Sequence, residues 1–234
     1  MANYCLLCEK QLIELITWGT IFTGDPSYLC DECESKLKLI KGNRCSKCSR
    51  SLDKLDAQFI KGQICSDCDR WEKDETWQGI LHENISIFEY NDFLKETLAT
   101  FKYRGDYALA KLFAASIKKV NKTLKHDHII PIPLSEERLY ERGFNQSEAL
   151  LIEAKIQFHS PLARIHSEKQ SKKTRQQRIN QKQIFQLNTN ENFHSKNILL
   201  FDDIYTTGST LRLAAKLLKE AGAAEVSSFT LARG

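Results

Sequence analysis

The sequence predicts an α/β fold: a mostly parallel sheet with helices on both faces, preceded by a small double ribbon rich in cysteine. Three observations predict it. From residue 85 onward, apolar runs of strand length alternate with segments of helical period, the pattern of a sheet covered on both sides. One run, NILLF (197–201), is apolar without interruption, as a strand buried on both faces must be. All eight cysteines lie between Cys5 and Cys68, and the remaining 166 residues have none. The chain of 234 residues is long enough for one medium domain with a small appendage, and the composition places the division at 1–75 and 76–234.

The cysteines form four C-x-x-C pairs: Cys5/Cys8, Cys30/Cys33, Cys45/Cys48 and Cys65/Cys68. A disulfide framework rarely spaces every cysteine this way, whereas a tight knuckle aims two thiolates at one ion, so the spacing favours zinc. CLLCEKQL (5–12) resembles CSKCSRSL (45–52), and LCDEC (29–33) resembles ICSDC (64–68). A duplicated unit carries a full ligand set in each copy. Sequential sites, Cys5/Cys8/Cys30/Cys33 and Cys45/Cys48/Cys65/Cys68, are therefore favoured over cross-bracing, which sequence alone leaves open. Four sulfurs leave no vacant position, so both sites are expected to be structural. A hydrophilic segment this short would hardly fold without them.

The elements follow in order. DRWEKDETW (69–77) is charged, aromatic and aperiodic, and reads as a linker. ISIFEY (85–90) alternates like a half-buried strand. DFLKETLATFKY has helical spacing at Phe93, Leu94, Leu98 and Phe101. Asp106 is placed to cap the next helix, YALAKLFAASIKKVNKTL. DHIIPIPL (127–134) is a short strand that two prolines end in a turn. Asn145 starts the helix NQSEALLIEAKI. NILLF is the buried strand. A helix follows from Ser209 and stops at Gly222, and EVSSFTLAR is the last strand.

Charge is local. Residues 1–75 carry a net −2 and the rest +6, and residues 164–182 alone hold seven basic residues against one acid. A patch of this kind implies a local polyanion. It has no apolar face wide enough for a core helix, so a mobile loop or exposed helix is expected. No apolar run approaches 18 residues, so no membrane helix is expected. MANYCLLCEK lacks the basic and apolar regions of a secretory signal, and a cytoplasmic location is expected.

The chemistry concentrates in DDIYTTGST (202–210). Ligands of parallel sheets lie beyond the carboxyl ends of strands, and helix amino termini offer unpaired N–H groups to anions. Gly208 permits close backbone approach, and Thr206, Thr207, Ser209 and Thr210 add hydroxyls. By itself this is also what a plain Ser/Thr helix cap looks like. Asp202 and Asp203 tip the balance, because adjacent acids at a strand end are costly unless something uses them, and vicinal ribose hydroxyls would. No P-loop pattern is present. The six histidines are scattered, so a hydrolytic triad has no support.

An acid pair followed by T-T-G-S-T resembles the phosphoribosyl pyrophosphate loop of type I phosphoribosyltransferases. That resemblance implies ribose contacts from Asp202 and Asp203 and 5′-phosphate contacts from Thr206, Thr207, Gly208, Ser209 and Thr210, with Mg²⁺ accompanying the ligand. The IPIPL turn (130–134) would then contact pyrophosphate. Together with FKYRGD (101–106), PIPLSEERLYERGFNQSE (131–148) and the C-x-x-C-rich start, the whole chain resembles the competence protein F family, usually called ComFC. Membership implies a cytoplasmic DNA-uptake factor of natural transformation, at the inner face of the membrane. It would act beside a DNA-translocating ATPase and other competence proteins, and bind single-stranded DNA. One departure is at Arg178, which is followed three places later by Gln181, where the family pattern has asparagine.

In type I enzymes a flexible loop lies between the pyrophosphate and phosphate loops, where this chain has its basic stretch. Arg164, Lys169, Lys172, Lys173, Arg175 and Arg178 would neutralise pyrophosphate or follow a DNA backbone; a solvated loop without a partner is the plain alternative. Lys102, Arg104, Arg138 and Arg142 are candidates for the same anionic surface. Phe101, Tyr103, Tyr140 and Phe144 are candidates to stack on bases. An active transferase on an unidentified acceptor, and a purely structural adaptor, are the competing readings.

Overall fold

The computed structural model describes residues 4–12, 28–165, 184–188 and 191–234. The two halves of the cysteine segment repeat each other in backbone as well as in sequence. In each half the residue after the first knuckle, Glu9 or Ser49, is left-handed, at φ 58° or 61°. Its N–H donates to the carbonyl of Cys5 or Cys45, at 2.9 Å in both. Each second knuckle opens a short helix, α1 (Asp31–Lys36) or α2 (Ser66–Lys73), whose N-cap is Cys30 or Cys65 at nearly identical dihedrals. Between the second pair of knuckles runs a short antiparallel hairpin, β1 (Ile60–Lys61) and β2 (Ile64–Cys65).

Helix α2 overlaps the stretch expected to be a linker. Five of its eight residues are charged and its one buried residue is Cys68, so the sequence shows no apolar run there. Acids in its first turn and bases in its last complement the helix dipole instead.

The main sheet has four parallel strands, β3 (Asn84–Glu89), β4 (His128–Pro131), β7 (Asn197–Tyr205) and β8 (Glu225–Arg233), in the spatial order β3-β8-β7-β4. Pro131 is tolerated because β4 is an edge strand. Alternate residues of each strand face opposite sides. Leu199, Phe201 and Ile129 join one apolar cluster, with α3 (Asp92–Tyr103), α4 (Lys111–Asn121) and α6 (Gln146–Glu153) packed on it. Ile198, Leu200 and Ile130 join the other. That second face is covered by α7 (Ser209–Glu220) together with the second cysteine ribbon, whose Cys45, Cys48, Leu52, Cys65 and Cys68 belong to the same core. The fold is the α/β sheet expected, with cysteine knuckles completing one of its layers.

Local signals explain most boundaries. Asn91 caps α3 by accepting the Leu94 N–H at 2.9 Å. Asn145 caps α6 through the Ser147 N–H at 3.0 Å. Ser135 caps α5 (Glu136–Arg142), which ends at left-handed Gly143. Asp106 behaves otherwise: its side chain caps nothing, a 3-10 turn covers Tyr107–Ala110, and α4 begins at Lys111. Strands β5 (Leu162–Arg164) and β6 (Phe185–Leu187) pair antiparallel and flank the basic stretch. Lys169, Lys172, Lys173, Arg175 and Arg178 lie outside the described residues.

Candidate phosphate site and metal centres

The cysteine sulfurs gather in two sets, Cys5/Cys8/Cys30/Cys33 and Cys45/Cys48/Cys65/Cys68, and within each set all four ligand atoms lie within 4.8 Å of one another. This is the sequential grouping. The separations test whether the sets fit a metal. Cys8 and Cys30 sulfurs are 3.6 Å apart, and Cys48 and Cys65 sulfurs 3.7 Å. Sulfurs about 2.3 Å from a tetrahedral zinc stand roughly 3.8 Å apart, and a disulfide needs about 2.05 Å. Both sets therefore fit a four-thiolate ion. The Cys65 N–H donates to Cys45 Sγ at 3.3 Å, and Arg233 Nη2 donates to Cys48 Sγ at 3.5 Å, contacts that stabilise thiolates.

Strand β7 ends in Asp202 and Asp203 and turns through Thr206–Gly208 into α7. Gly208 is the N-cap, at φ 78°, and no side chain caps the helix. A Cβ here would lie 2.2 Å from the Tyr205 hydroxyl and 2.4 Å from Arg212 Nη1, so only glycine fits. Thr206, Thr207 and Ser209 are exposed. Thr207 Oγ1 lies 2.9 Å from Ser209 Oγ, and the Ser209 N–H reaches Thr207 Oγ1 at a long 3.4 Å. Among the described residues, no hydrogen bond takes up the N–H groups of Thr207, Gly208 or Thr210. A helix terminus with open amides and several hydroxyls is suited to a phosphate.

The acids divide their partners. Asp203 is buried and forms an ion pair with Lys102 from α3. Asp202 accepts the Asp203 N–H at 2.9 Å and the Ser147 hydroxyl at 3.2 Å. Burial, and then the neighbouring Asp203 charge, push the Asp202 carboxyl up to about 7. A carboxyl held this high gains from any donor or cation that arrives with a ligand.

Arg164 is partly buried against the Phe185 ring, 5.7 Å away. Burial lowers its pKa from the usual arginine range, Arg138 acts in the same direction and Asp202 opposes, so the three side chains share one electrostatic neighbourhood. Arg142 is bonded to Gln146 Oε1 at 2.7 Å and lies over the Tyr103 ring. Arg104 is exposed at the end of α3. Of the aromatic candidates, Tyr103 and Tyr140 are exposed, at 74% and 92%. Phe101 is fully buried and packs on Phe144, which also meets Tyr107, so those two are core residues.

Sequence reading missed the cradle's support. Arg212 is 1% exposed, donates to the Tyr205 hydroxyl at 2.7 Å, and stacks over Trp71 of the second ribbon at 4.5 Å. Trp71 Nε1 donates to the Thr207 carbonyl at 3.1 Å. The one available hint was an arginine on the apolar face of an otherwise regular amphipathic helix.

Comparison with known proteins agrees with this geometry. The phosphoribosyl transferase domain family matches residues 108–234. Competence protein ComFC of Bacillus subtilis is 41% identical, over 98% of this chain and 94% of that protein. Competence protein ComFC of Streptococcus pneumoniae is 34% identical, over 98% and 99%. Competence protein F of Haemophilus influenzae is 28% identical, over 88% and 97%. Kinship at this level over nearly the full length, joined to the phosphoribosyl transferase match, makes the chain a member of the competence protein F (ComFC) family.

Proposed function

We propose that this protein is a DNA-uptake factor that binds a phosphoribosyl pyrophosphate-like ligand and single-stranded DNA, and acts with a DNA-translocating ATPase. The observation that carries the reading is the placement of open amides and hydroxyls of the Thr206–Thr210 turn beside the Asp202/Asp203 pair. Both lie at the carboxyl end of one buried strand. Asp202 and Asp203 hold the ribose hydroxyls, with Mg²⁺ as counter-ion, and the turn holds the 5′-phosphate. The strand of DNA follows the surface of Arg104, Arg138, Arg142 and Arg164, with the basic stretch of residues 164–182 beyond. Zinc occupies both cysteine sets, in a ribbon unit ending near residue 75. The relatives' names supply the competence context. Among the described residues no helix is long and apolar enough to cross a membrane.

Calorimetric titration with phosphoribosyl pyrophosphate and Mg²⁺ tests the ligand. Wild type gives saturable heat, and the Asp202→Ala/Asp203→Ala double variant loses it; equal heats from both would remove the assignment. Labelled single strands should be retained with an affinity that falls steeply with salt, and no retention at low salt would remove the DNA component. The second reading, an active phosphoribosyltransferase on an unidentified acceptor, is favoured by the completeness of DDIYTTGST. Pyrophosphate release in the presence of an acceptor panel distinguishes it.

A further inference from the structure

The phosphate cradle is not built by the transferase domain alone. Thr206, Thr207 and Ser209 open into a cleft of about 420 Å³, and its opposite wall is Arg50, Asp67, Arg70, Trp71 and Asp74 of the second ribbon, both arginines being ion-paired with Asp67. The ribbon also reaches under the turn. Trp71 Nε1 donates to the Thr207 carbonyl, and the Trp71 ring lies beneath the buried Arg212 guanidinium. Arg212 holds the Tyr205 hydroxyl, and these two groups form the floor on which Gly208 rests. From the other side, Arg233 donates to both Cys48 Sγ and the Tyr205 carbonyl, and lies over the Tyr205 ring at 4.9 Å. Two routes therefore run from the second cysteine set to the turn.

The bond to Thr207 has a specific consequence. A carbonyl held by an outside donor fixes the orientation of the Thr207–Gly208 peptide, whose N–H is one of the open donors. We propose that the second cysteine ribbon sets the shape of the phosphate cradle, with Trp71 as a positioning residue for the bound sugar phosphate. Trp71 acts through the Thr207 carbonyl and Arg212 and need not touch the ligand. The inference rests on the cradle being a phosphate site, but its mechanical part can be read without any ligand.

Trp71→Phe keeps a ring under Arg212 and deletes the indole donor. Trp77→Phe is the control, because Trp77 meets Trp71 edge-on at 5.5 Å and lacks the bond to Thr207. Hydrogen exchange of the Arg212 amide, which donates to Gly208 O at 2.9 Å, reports the turn in ligand-free protein. Titration with ribose 5-phosphate reports binding, and metal content with melting temperature reports folding. For Trp71→Phe at unchanged metal content, exchange should rise about tenfold and ribose 5-phosphate should bind about tenfold more weakly, the scale of one hydrogen bond; Trp77→Phe should match wild type. Wild-type exchange in Trp71→Phe overturns the proposal. Faster exchange in Trp71→Phe, in a protein that binds no ribose 5-phosphate even as wild type, supports the ribbon's control of the turn and removes the ligand reading instead.

Discussion

The two cysteine ribbons share one knuckle geometry but stand in opposite relations to the rest of the chain. The first, Cys5/Cys8/Cys30/Cys33, leaves Cys8 exposed and gathers a small cluster of its own, with Leu7, Leu12, Leu29 and Phe93 only partly buried. The second buries all four cysteines and shares the core of the sheet. It is also stitched to the sheet by polar contacts. Ser49 Oγ donates to the Asn84 carbonyl at 2.8 Å, and Asn84, Ser86, Ser228 and Thr230 form a buried hydrogen-bonded network on β3 and β8. The same motif thus serves once as a peripheral module and once as a layer of the domain. The difference lies in what each copy faces: solvent and the rim of the cluster under α3 and α4, where Leu6, Leu7 and Leu37 are only partly buried, or an otherwise uncovered sheet face.

The largest expected effect breaks this symmetry directly. Cys65→Ser should cost the whole domain its cooperativity or lower its melting temperature by about 10 °C or more. Cys8→Ser should remove one metal equivalent while shifting melting by less than about 3 °C. Calorimetry with metal analysis decides, and equal losses would show the two ribbons to be equivalent.

Two glycines sharpen the same contrast. Gly208→Ala meets the Tyr205 and Arg212 side chains at 2.2–2.4 Å and should cost about 3 kcal/mol. Gly62→Ala, in the ribbon hairpin with open space around it, should cost about 1 kcal/mol for its positive φ alone. Urea denaturation compares them.

At the acid pair the effect is smaller and has a sign. Asp202 has its folded value raised to about 7. Its contribution is therefore fully present below an unfolded value near 4 and is lost as pH rises through about 7. Asp202→Asn has no charge to bury. It should stabilise the ligand-free protein at pH 8 by on the order of 2 kcal/mol relative to wild type, with the advantage vanishing near pH 4. A flat difference across that range would contradict the burial of this carboxyl.

The smallest effect lies away from both ribbons. Tyr140→Ala removes a side chain that is 92% exposed and should leave stability within about 0.5 kcal/mol. It should weaken single-strand binding by about 1 kcal/mol if bases stack there. A larger loss of strand binding in Cys8→Ser would move the DNA surface onto the first ribbon.

Much of this was legible locally. The strands ISIFEY, NILLF and EVSSFTLAR carry their burial in their composition, and Asn145 carries a helix start in its side chain. Helix α2 was not legible, because most of its residues are charged and it buries a single cysteine. Nor was the pairing of Lys102 with Asp203, or of Ser147 with Asp202, since these residues meet only when α3, α6 and the end of β7 converge.

By itself the sequence determined the candidate chemistry: four C-x-x-C pairs, an acid pair, and a hydroxyl-rich turn containing a glycine. Spacing along a few residues suffices for each. Tertiary structure alone decided that the second ribbon covers a face of the sheet and that Trp71 holds the turn it lies beside. That outcome depends on apolar area left bare by distant strands, and on a donor and acceptor 136 residues apart, which no local pattern encodes.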